Sequence, residues 1–175
     1  MIQGESVETI KAIFTRRSVR NFRADPVSEE DINDLLRAGM QAPSAKNEHS
    51  WHFIVIDDPD LLHAIPEFHP YSKMLLEAPL AILVCSDRKL ETKRASWLQD
   101  CSAATQNILL AAHAKGLGAV WLGIFPDSER VHGMQALCHM PKDVRPVALV
   151  AVGHPASIPE PVDRFKESRV HRNQW

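Results

Sequence analysis

The stretch QDCSAATQNILLAAHAKGLGAVWLG, residues 99–123, places a long helix directly before a strand. It lies in a segment, residues 91–115, that contains neither glycine nor proline. Side chains of one helical face recur there at intervals of four and three residues: Trp97, Cys101, Ala104, Ile108 and Ala111. We therefore predict a helix of roughly 35 Å over residues 91–115. It should end at Gly116 and be followed by a strand over residues 119–124.

Further elements are predicted on either side of this unit. Ser6 is a candidate N-cap for a first helix, and Ser28 and Asp31 have the spacing of a capping box before a second one. Apolar, β-branched runs predict strands at residues 51–57, 80–86 and 146–153, and short helices are expected at residues 71–77 and 128–139. The last two strands are apolar without interruption, which is typical of strands buried on both faces.

The helices outnumber the strands, and the strands follow one another at irregular spacing, which is typical of an α+β fold. We expect a mixed sheet of four or five strands with helices around it, in a single domain over residues 1–175. Residues 156–175 are rich in charge and poor in apolar side chains, which predicts an extended arm. Because this arm keeps Phe165 and Trp175, we expect it to lie on another surface, such as a second subunit.

The composition is that of an ordinary globular protein: 175 residues, 45% hydrophobic and 24% charged, with a net charge of −2. The near-neutral charge gives no global reason to bind nucleic acid or an anionic membrane. No apolar run approaches the ~20 residues of a membrane-spanning helix, and we predict no secretory signal at the start of the chain. The three cysteines form no CxxC pair, which favours a reducing, cytoplasmic location over a disulfide framework or a structural zinc site.

The seven glycines do not form a phosphate-binding loop. Trp121 stands where a dinucleotide fingerprint starting at Gly116 requires glycine, and Ile124 and Phe125 replace the lysine and hydroxyl residue of a P-loop. A bound phosphate would therefore have to be held by side chains, which directs attention to the arginines.

Four arginines fall within eight residues where the first helix ends: Arg16, Arg17, Arg20 and Arg23, with Ser18 among them. Arginine forks match phosphate oxygens bidentately, and a serine hydroxyl adds a further hydrogen bond. The same pattern is typical of a solvated basic helix end, which the helix dipole favours. A nucleic-acid patch is a third interpretation, although the rest of the chain offers no matching basic surface.

Two other segments are candidate ligand contacts. The loop at residues 42–51 joins a helix to a strand through small and amide-bearing side chains, which suit a planar polar ligand. Trp121, Leu122 and Gly123 end a strand, where glycine lets a ring approach the backbone. The alternatives are a plain connector for the loop and a core tryptophan with a turn glycine for the strand end. The His and Cys spacings match no metal motif, so we expect no metal.

Four segments resemble, in order along the chain, the motifs of the nitroreductase family: RRSVRNF (residues 16–22), APSAKNEHSWHF (42–53), the stretch 99–123 and RFKESRVHRNQW (164–175). The resemblance covers nearly the whole chain. Members of this family are FMN-dependent oxidoreductases that use NAD(P)H and reduce nitroaromatics and quinones. The resemblance implies a short single-domain member with a mixed, mainly antiparallel central sheet. It also implies a homodimer, in which the C-terminal arm embraces the partner.

The resemblance implies cofactor contacts from four segments. The first motif, Arg16, Arg17, Ser18 and Arg20, would hold the phosphate, ribityl chain and pyrimidine edge of FMN. The loop, through Pro43, Ser44, Ala45 and Asn47, would reach the flavin from the other subunit. The strand end, Trp121, Leu122 and Gly123, would lie along the ring near its N5 side. In the arm, Arg164 would bind the phosphate, and Lys166 could share that role.

The resemblance also implies how the reaction proceeds. NAD(P)H would pass a hydride to flavin N5, and an acceptor would then occupy the same face, which gives ping-pong kinetics. No protein nucleophile or general base is required, and Arg17 is the expected cation beside N1 and O2 of the flavin. The alternatives are a non-catalytic flavin- or nucleotide-binding dimer, such as a sensor, and other flavin chemistry such as reductive dehalogenation.

The loop departs from the family pattern at the positions nearest the mouth of the expected site. Members commonly have N-x-Q-P-W, whereas this chain has His49 and Ser50 between Asn47 and Trp51. Lys46 is a further addition, which could reach a phosphate or point to water. These departures leave the substrate preference open.

Overall fold

The computed structural model describes residues 9–92 and 96–175. The helices are α1 (Thr9–Thr15), α2 (Glu29–Met40), α3 (Pro59–Ala64), α4 (Trp97–Ala114) and α5 (Ser128–Leu137). The strands are β1 (Trp51–Ile56), β2 (Leu80–Asp87), β3 (Gly118–Gly123) and β4 (Val144–Gly153). Short 3₁₀ turns lie at Ala45–Asn47, Ile65–Glu67, Lys73–Leu76 and Glu167–Arg169.

The four strands form one sheet in the order β1-β2-β4-β3, and every neighbouring pair is antiparallel. This arrangement confirms the predicted α+β fold. Within the described residues, the parallel part of the expected mixed sheet is one isolated bridge, which joins Ser18 to Ala119 of β3. β4 lies between β2 and β3, so β3 is an edge strand of the sheet.

Both faces of the sheet are covered, which explains the uninterrupted apolar run of β2. Leu80, Ile82 and Val84 belong to a core shared with α2 and α4 on one face. Ala81, Leu83 and Cys85 belong to a second core, which includes residues of α3 and α5 on the opposite face. Side chains alternate between the two faces of a strand, so a strand covered on both sides is apolar throughout. The predicted burial of the two central strands is confirmed.

The boundaries of several elements differ from the sequence-based expectations. The long helix α4 begins at Trp97 rather than at residue 91, and its 18 residues extend about 27 Å. Glu91 lies outside α4, and its carboxylate accepts hydrogen bonds from Ser86 and Arg145. The short helix expected at residues 71–77 is instead a single 3₁₀ turn, Lys73–Leu76.

The two predicted N-caps have different outcomes. Ser28 caps α2 as expected: its hydroxyl oxygen accepts a hydrogen bond from the Asp31 N–H at 3.1 Å. The side chain of Asp31 does not reach back to the Ser28 N–H, but accepts from the Ser28 hydroxyl at 2.7 Å. The cap expected at Ser6 lies outside the described residues.

The C-terminal arm leaves the sheet through one backbone contact. The Ala156 N–H donates to the Asn21 carbonyl at 2.9 Å, and from residue 156 onward every residue is exposed. Residues 161–165 of the arm and Ile13, Phe14 and Thr15 of α1 line a groove of about 690 Å³. Phe14 and Phe165 are 70% and 74% exposed, so this groove presents apolar surface to its surroundings.

Candidate functional site

The first predicted motif lies between α1 and the start of β3. Thr15, the last residue of α1, is tied to α4 by a 2.8 Å hydrogen bond between its hydroxyl and His113 Nε2. Three residues further on, Ser18 bridges Ala119, and the Val19 N–H donates to the Ala119 carbonyl at 3.0 Å. The segment that carries Arg16, Arg17 and Ser18 is therefore fixed at both ends.

Two arginines lie close enough to Arg16 to affect its charge. Burial lowers the pKa of Arg16, and the charges of Arg164 and Arg17 lower it further. Arg164 comes from the arm, about 150 positions away along the chain. Arg17 is held to the arm as well, because its guanidinium donates to the Glu160 carbonyl. We call Arg16, Arg17 and Arg164 the cation cluster.

The cation cluster has no carboxylate partner in the described part of the chain: no salt bridge there involves any of its members, nor Arg20. Placing like charges together and partly burying one of them is unfavourable unless an anion is bound among them. The geometry therefore favours an anion site over the alternative of a freely solvated helix end. Arg20 is exposed, and it is not among the charges that lower the pKa of Arg16.

The open side of β3 carries a defined set of backbone groups. The Ala119 carbonyl points away from β4, because it accepts from the Val19 N–H. The Ile124 N–H points the other way and donates to a β4 carbonyl at 3.3 Å. The N–H and C=O groups of successive residues point to alternate sides of a strand. Those of Trp121 and Gly123 therefore point away from β4, as those of Ala119 do. The edge thus presents the N–H groups of Trp121 and Gly123 to an external ligand.

The three strand-end residues differ in what their side chains contact. Leu122 is buried in the core on the α3 and α5 face, and Trp121 packs partly buried against the core on the α4 face. Leu122 can therefore meet a ligand only through its backbone, whereas Trp121 keeps part of its side chain exposed. At Gly123 a Cβ would meet no atom within 4 Å, and the residue does not have a left-handed backbone. No contact within this chain requires a glycine there, which leaves room for a ligand at the strand end.

The predicted loop residues are attached to the opposite end of α4. The Ala45 N–H donates to Asp100 Oδ1 at 3.1 Å, and the His49 N–H donates to the Ser44 hydroxyl oxygen at 3.1 Å. Asn47 and the preceding lysine adopt positive φ angles of 59° and 54°, so the loop turns sharply. Pro43 and Asn47 are exposed at the surface.

One protomer does not bring all the predicted residues together. Asp100 lies in the first turn of α4 and His113 in the last, thirteen positions apart, which corresponds to about 20 Å. The loop at 43–47 is tied to the first and the cation cluster to the second. The structure therefore separates the candidate residues into two groups at opposite ends of one helix.

The thiols are not poised for chemistry. Burial raises the pKa of the Cys101 thiol to about 12, and burial also raises the pKa values of Cys85 and Cys138. The described part of the chain contains no group of three or more His, Cys, Asp or Glu side chains placed to hold a metal ion. Across residues 9–92 and 96–175, none of the helices combines the length and apolar character needed to span a bilayer.

Three residues around the candidate site are not apparent from the sequence. Asp100 fixes the loop, and His69 and Arg130 both donate to the Gly123 carbonyl, at 3.1 and 3.0 Å. None of the three belongs to a recognisable motif. Asp100 and His69 act through contacts between distant parts of the chain, and Arg130 bonds to a carbonyl seven positions before it in the folded structure.

The α+β fold of this chain is shared with solved structures. A crystal structure named "Putative NADH dehydrogenase/NAD(P)H nitroreductase" from Parabacteroides distasonis superposes with a TM-score of 0.92 at 37% identity, covering 96% of this chain and 99% of that one. A nitroreductase structure in complex with FMN, from Desulfovibrio desulfuricans, gives a TM-score of 0.83 at 33% identity over 96% and 98% of the two chains.

The sequence comparisons agree with the structural ones. The family model described as "Nitroreductase family" matches residues 13–68 and 67–154. A Methanothermobacter thermautotrophicus protein that shares the Parabacteroides name is 46% identical over 97% of this chain and 88% of its own length. The chain belongs to the nitroreductase family, which confirms the resemblance inferred from its motifs. It is therefore an oxidoreductase of the NAD(P)H-dependent flavin class.

Proposed function

We propose that this chain is an FMN-dependent oxidoreductase that takes electrons from NAD(P)H and reduces nitroaromatics, quinones or similar acceptors. The observation that carries the proposal is the cation cluster, which lacks a carboxylate partner among the described residues and lies beside the open edge of β3. An anionic group attached to a planar polar ring matches both features. FMN has this chemistry, and a relative from Desulfovibrio desulfuricans is named as an FMN complex.

The residues of this site fit that cofactor. Arg16 and Arg164 would hold the phosphate, with the Ser18 hydroxyl and Arg20 as additional donors. The outward N–H groups of Trp121 and Gly123 would face the polar edge of the ring, in the space that a side chain at Gly123 would otherwise fill. Leu122 would contribute through its backbone, since its side chain is in the core.

The chemistry belongs to the cofactor, and the protein orients it. When bound, FMN would supply hydride transfer from NAD(P)H to a second substrate, for which we expect ping-pong kinetics. Arg17 would stabilise the negative charge that develops on the pyrimidine side of the ring, and its link to Glu160 couples this position to the arm. The buried thiols with raised pKa values agree with a mechanism that needs no protein nucleophile.

Two copies of the chain are needed to complete the proposed site. The loop with Pro43, Ser44, Ala45 and Asn47 is tied to Asp100 of α4 and the cation cluster to His113, two positions about 20 Å apart along the helix. In a homodimer these loop residues would reach the flavin bound to the other protomer. The exposed apolar side chains of α1 and of the arm, among them Phe14 and Phe165, would be covered by the partner.

The decisive experiment is anaerobic reduction of the purified protein by NADH and by NADPH in parallel, followed by a panel of acceptors. We expect a yellow protein that either nucleotide bleaches, and whose colour returns when a nitroaromatic or a quinone is added. A yellow protein that neither nucleotide bleaches would favour a non-catalytic flavin-binding dimer. A colourless protein that does not take up added FMN would contradict the proposal.

A further inference from the structure

The Gly123 carbonyl accepts hydrogen bonds from two separate elements. His69 Nε2 lies 3.1 Å from this oxygen, and Arg130 Nη1 lies 3.0 Å from it. His69 is in the chain between α3 and β2, whereas Arg130 is in the first turn of α5. A carbonyl oxygen has two lone pairs, and two donors from different directions fix the orientation of its peptide plane.

His69 is an unusual residue to bury at this position. It is 1% exposed, and its Nδ1 atom has no hydrogen-bond partner in the described structure. Burial lowers the pKa of His69, so the ring is neutral and carries its single proton on Nε2, facing the Gly123 carbonyl. An apolar side chain would fill the space without leaving a polar atom unpaired. Packing alone therefore does not account for the histidine, whereas the bond to Gly123 does.

The guanidinium of Arg130 is held in place before it reaches Gly123. Its Nε lies 3.5 Å from the Asp127 carboxylate, and its Cζ lies 5.3 Å from the centre of the Tyr71 ring. The same tyrosine ring also meets the edge of the His69 ring, with the two centres 6.4 Å apart. The two donors thus belong to one connected group of side chains and do not move independently.

Glycine has the least conformational preference of any residue, so a glycine at the end of an edge strand needs external contacts to hold its direction. We propose that His69 and Arg130 are positioning residues. They hold the Gly123–Ile124 peptide plane and thereby restrict the backbone torsions of Gly123, whose N–H lies in the neighbouring peptide plane and faces the open edge of β3 where the flavin would lie. This inference rests on the proposed function, because it takes FMN to be the ligand that the Gly123 N–H contacts.

Paired variants separate the hydrogen bonds from the packing. His69→Phe keeps a ring but removes the donor, whereas His69→Gln keeps an N–H that can reach the same carbonyl. Arg130→Met removes the second donor, and Arg130→Lys keeps a cation. Ser72→Ala is the matched control, because it removes the 2.7 Å bond from the Ser72 hydroxyl to the His69 carbonyl and loosens the same turn without touching Gly123.

Two measurements are made on the full chain: amide hydrogen exchange at Ile124, whose N–H bonds to β4, and the Kd for FMN. We expect His69→Phe and Arg130→Met to speed the exchange of this amide and to raise the Kd about tenfold, the effect of one lost hydrogen bond. His69→Gln and Ser72→Ala should stay within about twofold of the wild-type Kd.

If His69→Phe leaves either the Ile124 amide exchange or the Kd for FMN unchanged, the positioning role is overturned. An equal rise of the Kd in Ser72→Ala also overturns it. A wild-type protein that does not bind FMN overturns the proposed function. It also overturns the assignment of the Gly123 N–H as a flavin contact. Amide exchange still decides in that case whether His69 and Arg130 hold Gly123. The two failures are therefore distinguishable.

Discussion

Arg164 shows what a single residue contributes to the site. It enters the cation cluster from the arm, and its charge is one of the causes that lower the pKa of Arg16. Without a bound anion, this proximity is a cost that the folded chain bears. With a phosphate held between Arg16 and Arg164, the same proximity becomes a source of binding energy. Affinity for the cofactor and stability of the free protein should therefore respond in opposite directions.

Arg164→Ala is the variant that tests this opposition. We expect the Kd for FMN to rise by roughly 10- to 100-fold, the loss of one or two charge-assisted hydrogen bonds. The melting temperature of the flavin-free protein should stay level or rise, because a repulsion is removed. Fluorescence titration and thermal unfolding measure the two quantities. Arg169→Ala, which removes a similar exposed charge from the arm, is the control, and an equal loss of affinity there would contradict the assignment.

His113 links stability to pH at the same end of α4. Burial lowers its pKa, and the charge of Arg16 lowers it further. The folded protein therefore binds a proton less readily than the unfolded chain, whose histidine has a pKa of about 6.5. Stability from this residue is fully present above that value and is lost as the pH falls below it, towards the lowered pKa of the folded state.

Urea unfolding between about pH 5 and pH 7.5 measures this dependence. His113→Gln keeps a side chain that can bond to Thr15 but does not titrate, so its free energy of unfolding should fall less steeply as the medium is acidified. His63→Gln, at an exposed position of α3, is the control. Curves of equal slope for the wild type and His113→Gln would show that this histidine is not responsible.

At the scale of elements, α4 is the scaffold that spaces the site. Its first turn holds the loop through Asp100, and its last turn holds α1 through His113. Asp100 is buried, and its negative charge in the first turn also interacts favourably with the helix dipole. Loosening Asp100 should therefore affect the loop more than the cation cluster.

Asp100→Ala and Asp100→Asn separate these two effects. The alanine variant removes the acceptor for the Ala45 N–H, so we expect a loss of about 1–2 kcal/mol in unfolding free energy and a weaker affinity for FMN. The asparagine variant keeps the acceptor oxygen and should retain most of the affinity despite losing the charge. Denaturant unfolding and FMN titration measure both effects. Equal affinity of the alanine variant and the wild type would mean that the loop does not contribute to the site.

Several elements were predictable because their signals are local. The alternation of β2 between two cores follows from a continuous apolar run, and the Ser28 cap follows from a side chain and an N–H three residues apart. The start of α4 was predicted six residues too early, and Glu91, expected at its beginning, is instead bonded to Arg145, more than fifty positions away. Residue periodicity contains no information about such a contact.

The layout of the site was less predictable than its residues. The motifs name Arg16 and Arg164, but only the folded chain shows that their charges lie close together. That β3 is an edge strand depends on β4 inserting between it and β2, a long-range pairing with no local signal. His69 was overlooked for the same reason. A lone histidine between two prolines belongs to no motif, and its role depends on a hydrogen bond to the distant Gly123 carbonyl.

At the scale of the whole molecule, the separation along α4 determines which protomer supplies which contact. The loop at 43–47 is tied to Asp100 and the cation cluster to His113, at opposite ends of α4. These two α4 residues are about 20 Å apart along the helix. If each flavin is bound by the cation cluster of one protomer and the loop of its partner, every site in a dimer draws on both chains. Substitutions in the cation cluster and in the loop then affect different numbers of sites, depending on whether one chain carries both or each chain carries one.

A heterodimer of two damaged chains tests this arrangement. One chain carries Arg16→Ala and Arg164→Ala, and the other carries Ser44→Ala and Asn47→Ala. Each homodimer has a defect in both of its sites and should bind FMN weakly. In the heterodimer, one site combines the intact cation cluster with the intact loop, whereas the other site collects every substitution. Co-expression with two affinity tags and sequential purification isolates this species.

We expect the purified heterodimer to bind one FMN per dimer with an affinity close to that of the wild type, and to recover NAD(P)H oxidation that both homodimers lack. A wild-type dimer carrying the same two tags should bind two. If both groups instead served a flavin within one protomer, each site of the heterodimer would keep one defect and no tight site would appear. Because the two arrangements contain the same substitutions in the same numbers, stability differences cannot mimic the result, and the FMN stoichiometry alone distinguishes them.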